Sequence, residues 1–154
     1  MNDVALKSTT KNIVVDEIFP HSPEVLWKTL TTPEMMGHWL MTPTGFEPKV
    51  GNLFTYKTTP AGKWDGHIRC EVIEVIPNEQ LTYSWRGGHP DNEGYGSLLD
   101  TVVSFTLAKV KGCTRMSLVH SGFDDVRNDT AYCKMSEGWP KVLATVSALA
   151  DEAN

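Results

Sequence analysis

Cysteine is scarce, and its three copies, Cys70, Cys113 and Cys133, are odd in number and far apart. No C-x-x-C or other zinc spacing links them, so reduced, partly buried thiols are expected rather than a disulfide framework or a zinc site. No apolar run approaches the roughly 20 residues of a membrane-spanning helix, which argues against membrane insertion. The opening "MNDVALKSTTKN" has no apolar core of the signal-peptide kind, so the cytoplasm is the expected location. Without a secretory route, the sequon at Asn128 ("NDT") reads as a helix cap. Basic residues are outnumbered 14 to 19, the net charge is −5, and lysine and arginine are scattered. That distribution speaks against nucleic acid or an anionic membrane surface as the main partner. The histidines form no H-x-H or H-E-x-x-H, no glycine cluster precedes a helix, and no G-x-S-x-G elbow occurs. Neither a metal, nor a phosphate-bearing cofactor, nor a serine nucleophile is therefore expected.

What is present is enough apolar material for one domain. A chain of 154 residues buries roughly 68–70% of its unfolded surface and needs no covalent staples. Residues 1–154 read as a single domain, with an ordered core over about residues 12–151. "NIVVDEIF" (12–19) is rich in β-branched residues and predicts a strand. Ser22, Pro23 and Glu24 form a helix start, and Thr32-Pro33-Glu34 form a second, for two short helices. From 46 to 121 the pattern has period two. It predicts strands in "NLFTYKTT", "WDGHIRCEVIEVI", "LTYSWRG", "SLLDTVVSFTLAKV" and "TRMSLVHSGF", paired antiparallel through tight turns. The longer "RGGHPDNEGYG" (86–96) suggests a mobile connection. After "DDVRND" the period becomes 3.6, and Tyr132, Met135, Trp139, Val142, Leu143, Val146 and Leu149 share one helical stripe. Pro140 is expected to kink this helix or to start its second segment.

This succession predicts an α+β architecture: a curved antiparallel sheet wrapped around the long C-terminal helix, which is the only element able to cover its apolar face. Leu81, Tyr83 and Trp85, then Leu99, Thr101, Val103, Phe105 and Leu107, occupy odd positions of their strands. Met116, Leu118 and His120 occupy even positions of the last one. If these faces meet Met135, Trp139 and Leu143 of the helix, volume left between them becomes a pocket. The segment "TTPEMMGHWLMTPTGF" (31–46) is too apolar for an exposed loop and too broken for a core helix. Its Met35, Met36, Trp39 and Met41 either plug the core or form an adaptable lid over a pocket, and the residues alone leave both open.

Among titratable groups His120 is the leading candidate. It could donate to a ligand carbonyl or act as acid or base near neutral pH; the competing reading is a structural histidine tied down near a strand end. Tyr83, Trp85, Trp64 and Trp139 supply flat walls with one polar tip each, although core packing would use them equally well. His38, His67 and His89 read as solvent-facing, as do Asp65, Glu71 and Glu74.

The stretches "FPHSPEVLWKTLTTPEMMGHWL", "EVIEVIPNEQLTYSW", "TRMSLVHSGF" and "GWPKVLATVSAL", in that order, resemble the START-like (SRPBCC) superfamily of birch-pollen-allergen-like folds. Within it, the sequence is similar to the branch named for the activator of the heat-shock protein 90 ATPase. The resemblance covers about Ile13 to Leu149 and implies a helix-grip fold around a deep hydrophobic cavity. It favours the lid over the plug. In the family's eukaryotic chaperone activators, ATPase stimulation resides in a separate N-terminal domain with a tryptophan-rich signature, which this sequence does not show. A chaperone is therefore not the expected partner.

The expected function is binding of a hydrophobic or amphipathic small molecule. The candidate binding residues are Trp39, Tyr83, Trp85, Leu99, Thr101, Val103, Phe105, Leu118, His120, Met135, Trp139 and Leu143. A cavity-based cyclase or dehydratase using His120 is the first alternative, and a stress-response or chaperone-associated interaction module is the second. An exposed apolar patch on 31–46 would favour the latter. Strand edges or the lid could support a weak homodimer.

Overall fold

Ser22 acts as the expected helix start: its Oγ accepts a hydrogen bond from the Val25 amide at 3.3 Å, and Pro23 opens the helix. In the computed structural model, which describes residues 10–153, strand β1 (Thr10–Phe19) precedes this helix, α1 (Pro23–Thr31). The segment read for a leader lies, up to residue 9, outside the described residues. A second short helix, α2 (Pro33–Trp39), follows directly. Thr32 does not cap it; its hydroxyl turns back to donate to Lys28 O in α1. The start is set instead by Pro33, whose missing amide proton costs nothing at that position.

Strands β2 (Leu53–Lys57), β3 (His67–Ile76), β4 (Gln80–Gly87), β5 (Leu99–Val110) and β6 (Cys113–Asp124) then pair with their sequence neighbours, all antiparallel. The sheet order is β1-β6-β5-β4-β3-β2, so the first strand closes on the last. The β5–β6 turn is a two-residue loop in which Lys111 (φ 37°) and Gly112 (φ 82°) both have positive φ, the geometry that suits the twist of a hairpin. Between Val72 and Glu74 the β3–β4 register shifts by a bulge. The shift reverses side-chain parity, so Glu71 and Glu74, of opposite parity, are both exposed while Val75 stays half-buried.

Helix α3 (Asp129–Ala153) is a single element of 25 residues with Pro140 inside it, so no second segment begins there. It packs against α1, α2, β1 and β6. Leu143, Val146 and Ala150 are wholly buried beneath it, as are Leu26 and Leu30 of α1. The result is a helix-grip fold, an α+β arrangement of one antiparallel sheet and a long terminal helix. No described helix is long and apolar enough to cross a membrane.

Asn128 stands at the expected cap position, its carbonyl accepting from the Tyr132 amide at 2.8 Å, but its side chain does not cap the helix. Its side chain is buried, donates to Ser97 Oγ and Leu98 O, and accepts from the Asp124 amide. It ties the entry of α3 to the start of β5, and its burial leaves no room for a glycan.

Because Leu143 joins the helix to the sheet with no exposed surface, Leu143→Ala is expected to lower stability by about 2–5 kcal/mol, measured by urea unfolding.

Candidate functional site

The inward faces of the sheet are those expected. Register pairs Tyr83 with Val103, Trp85 with Thr101, Val103 with His120 and Phe105 with Leu118. Together with Trp39 and Trp139 they build a nearly continuous aromatic layer. Trp39 meets Phe105 edge-on at 5.8 Å, Phe105 meets Trp139 at 6.1 Å, and Trp139 meets Trp85 at 6.0 Å between ring centroids. Such edge-to-face contacts set the quadrupole of one ring against the positive edge of the next.

His120 stands in the middle of this layer with no exposed surface. Its Nδ1 accepts from the indole Nε1 of Trp139 at 3.1 Å. An indole nitrogen can only donate, so Nδ1 is unprotonated and the ring's hydrogen sits on Nε2. Nε2 lies 2.8 Å from Thr101 Oγ1, whose hydroxyl in turn donates to Trp85 O at 2.8 Å. Helix α3 is thus joined through one imidazole to β6, β5 and β4. Burial pushes the His120 pKa down to about 3. A proton on Nδ1 would also face the Trp139 N–H, which acts in the same direction. With both nitrogens engaged and the ring neutral, His120 is not placed to act as acid or base near neutral pH. It is the structural histidine of the two readings, held by side chains rather than by the main chain.

Space remains on the solvent side of this layer. A half-open cavity of about 260 Å³ lies between the N-terminal half of α3 and the ends of β3, β4 and β5. Trp85, Trp139 and Ile68 line it from within. Ala131, Met135, Gly138 and Val142 line it from α3, and Trp64, Thr58, Tyr95 and Leu99 from the loops and strand ends. Leu40 and Met41 complete the wall. The lining is almost wholly apolar, and among the described residues Lys134 is its one charged member. A second depression, of about 330 Å³, is lined by Arg69, Glu71, Ser84 and Arg86; its charged lining is that of solvated sheet surface.

The segment 31–46 does both things the sequence left open. Met36 and Trp39 plug the core, where the Trp39 indole donates to Thr29 O at 2.9 Å. Leu40 and Met41, immediately after, border the cavity. None of its apolar side chains is among the exposed large hydrophobics, so the patch that would mark an interaction module is not there.

Of the twelve candidate binding residues, Trp85, Leu99, Met135 and Trp139 line the cavity. Trp39, Tyr83, Thr101, Val103, Phe105, Leu118, His120 and Leu143 lie behind its wall, in the packed core. Tyr83 spends its hydroxyl on Tyr56, 3.1 Å away. Trp85 differs: its indole Nε1 is buried and has no hydrogen-bond partner among the described residues.

The 86–96 connection is less free than its glycines suggest. Asn92 donates to Ala61 O and Gly96 O, Tyr95 Oη donates to Thr59 O at 2.7 Å, and Lys63 pairs with Asp91. At Gly88 (φ 83°) a Cβ would collide with Ser97 O, so only glycine lets these two strands of loop approach. His38 is exposed and His67 half-exposed beside Asp65, as their positions imply, whereas His89 is half-buried, with Nδ1 accepting from the Asp91 amide.

Sequence reasoning missed Gly138 and Lys134. The signal was a glycine inside the apolar stripe of a long helix, where it costs stability for no turn. A Cβ at Gly138 would meet no atom within 4 Å, and the residue lines the cavity. The missing side chain is part of the missing volume.

Residues 20–151 match the family described as Activator of Hsp90 ATPase homolog 1-like protein. A solved Mesorhizobium loti protein is similar with a TM-score of 0.81 at 33% identity, covering 94% of this chain and 99% of its own. The solution structure of the Aha1 dimer from Colwellia psychrerythraea has a TM-score of 0.65 at 22% identity, covering 89% of this chain and 93% of that one. Activator of 90 kDa heat shock protein ATPase homolog 1 from Mus musculus is 28% identical over 83 residues, 54% of this chain. That match takes in 22% of the mouse protein, so the chain spans about a fifth of that relative.

Two outcomes follow from this geometry. Gly138→Ala is expected to raise stability by about 0.5–1 kcal/mol in urea unfolding, because it adds a helix-favouring methyl where nothing obstructs it. For His120, the folded pKa of about 3 lies below the usual 6.5, so the unfolded chain takes up the proton first. Its contribution is complete above about pH 6.5 and is lost as pH falls toward the folded value, at on the order of 1 kcal/mol per unit. Between pH 6.5 and 4.5 the decline in unfolding free energy is expected to be shallower in His120→Gln than in the parent.

Proposed function

The chain belongs to the family of Activator of Hsp90 ATPase homolog 1-like proteins, and from that premise we propose that it binds a small, largely apolar molecule in the cavity beside α3. The observation that carries the reading is a wall of Trp85, Trp139, Met135 and Leu99 around about 260 Å³ of unfilled space with an almost wholly apolar lining. Tight packing is the rule in protein interiors, and small-molecule sites are the usual exception. The volume is just under the roughly 300–1,000 Å³ of drug-sized sites, which suits a compact ligand. Apolar burial drives entry at about 25 cal/mol per Å², less the cost of ordering ligand and side chains. Met41 and Met135 can adapt to its shape.

Catalysis through His120 draws no support from this arrangement, since the imidazole lies behind the wall and stays neutral. The chaperone-linked activity named for the mouse relative belongs to a protein about five times as long as the matched stretch, and no exposed apolar surface on 31–46 speaks for it here. A weak homodimer in a cytoplasmic setting completes the proposal. Its support is the dimeric Colwellia relative and the exposed Val14 and Ile18 on edge strand β1.

Fluorescence titration with 1-aminoanthracene, a neutral aromatic probe, tests the reading. Saturable binding by the parent, abolished in Gly138→Leu with an unchanged circular-dichroism spectrum, is the expected outcome. Binding that does not saturate, or that Gly138→Leu leaves intact, overturns it.

A further inference from the structure

We infer that the cavity selects amphipathic monoanions, carrying one carboxylate on an apolar body, with Lys134 as the residue that reads the charge. The inference rests on the binding reading above and adds the ligand's chemical class to it. Lys134 is the one charged side chain among the lining residues, and it is solvent-exposed at the cavity's edge on α3. Among the described residues no carboxylate lies within ion-pair distance of Lys134, as is also true of Lys28, Lys57, Lys109, Lys111 and Lys141; Lys134 differs from these in lining the cavity. Its position on the helix places it between Ala131 and Gly138, both of which line the same space. A lysine there lays its methylene stem along apolar surface and keeps the ammonium in water at the mouth. An apolar body in the cavity would therefore leave its polar end beside an unpaired cation.

The number of cations decides the class. A phosphate group calls for several donors, commonly arginines in fork geometry, and no arginine lines this cavity among the described residues. One ammonium matches one carboxylate. The pairing is exposed, so its effect is moderate and salt-dependent rather than decisive for affinity. It discriminates: the chain as a whole carries −5 and repels anions except where a local cation offsets that field.

The test is isothermal titration of the full chain with 2-naphthoate and with 2-naphthamide, which share a ring system and a carbonyl and differ in charge. The parent is expected to bind the carboxylate about fivefold more tightly at low ionic strength. The preference should vanish in Lys134→Gln, reverse in Lys134→Glu, and shrink at 0.5 M salt, on the order of a 4–5 Å Debye length. The affinity for 2-naphthamide should be unchanged by either substitution. Equal affinity of the parent for both compounds, or a preference that survives Lys134→Gln, overturns the assignment while leaving the cavity as a binding site. Failure of the parent to bind either compound, together with failure to bind 1-aminoanthracene, removes both readings.

Discussion

The indole of Trp139 donating to the neutral imidazole of His120 is the contact on which the arrangement of helix and sheet turns. It is the point where α3 is attached to the sheet by direction as well as by area. Apolar packing alone would let a long helix slide along or rotate over a smooth surface. A buried donor and acceptor that must find each other do not allow that, because leaving either unpaired costs about 1–3 kcal/mol. The relay continues through Thr101 to the Trp85 carbonyl, so the helix is registered against three strands at once. The same bonds use up both imidazole nitrogens, and a side chain that looks catalytic in isolation becomes a fixed part of the wall.

That fixed layer makes the cavity possible. Space in a protein interior collapses unless its walls are held apart from behind. Here the interlocked rings of Trp39, Phe105, Trp139 and Trp85 hold one side. The loop 86–96, tied by Asn92 and Tyr95 to the 58–64 segment, holds another. Gly138 then withholds a side chain at a point where one would fit. A helix-interior glycine and an unpaired indole donor are both unfavourable for a bare scaffold.

Membership of the activator family accounts for the architecture from residue 20 to 151. It does not by itself assign an activity, since the mouse relative extends far beyond the matched stretch and none of the exposed large hydrophobics lies on residues 31–46. Lys134, Gly138 and Met135 of α3, with Leu40 and Met41 after α2, are among the residues that line the cavity.

Much of the molecule was legible in its sequence because local rules dominate where strands alternate and helices repeat. Period two set the inward residues of β4, β5 and β6. Period 3.6 set the buried stripe of α3, and Ser22 and Pro33 set where α1 and α2 begin. The sequence by itself determined the fold class, the element order and which face of each element turns inward, because side-chain parity and helix starts depend on near neighbours alone. Only the tertiary structure decided which inward residues touch the space and which lie behind it. It placed His120 between Thr101 and Trp139, and it supplied the bulge at Val72/Glu74 by which Glu71 and Glu74, of opposite parity, both face solvent as expected. It also turned the Asn128 side chain, at the entry of α3, toward Ser97 and Leu98 instead of onto the helix amides. Those outcomes depend on distances between residues far apart in the chain, and no local period encodes a distance across a core.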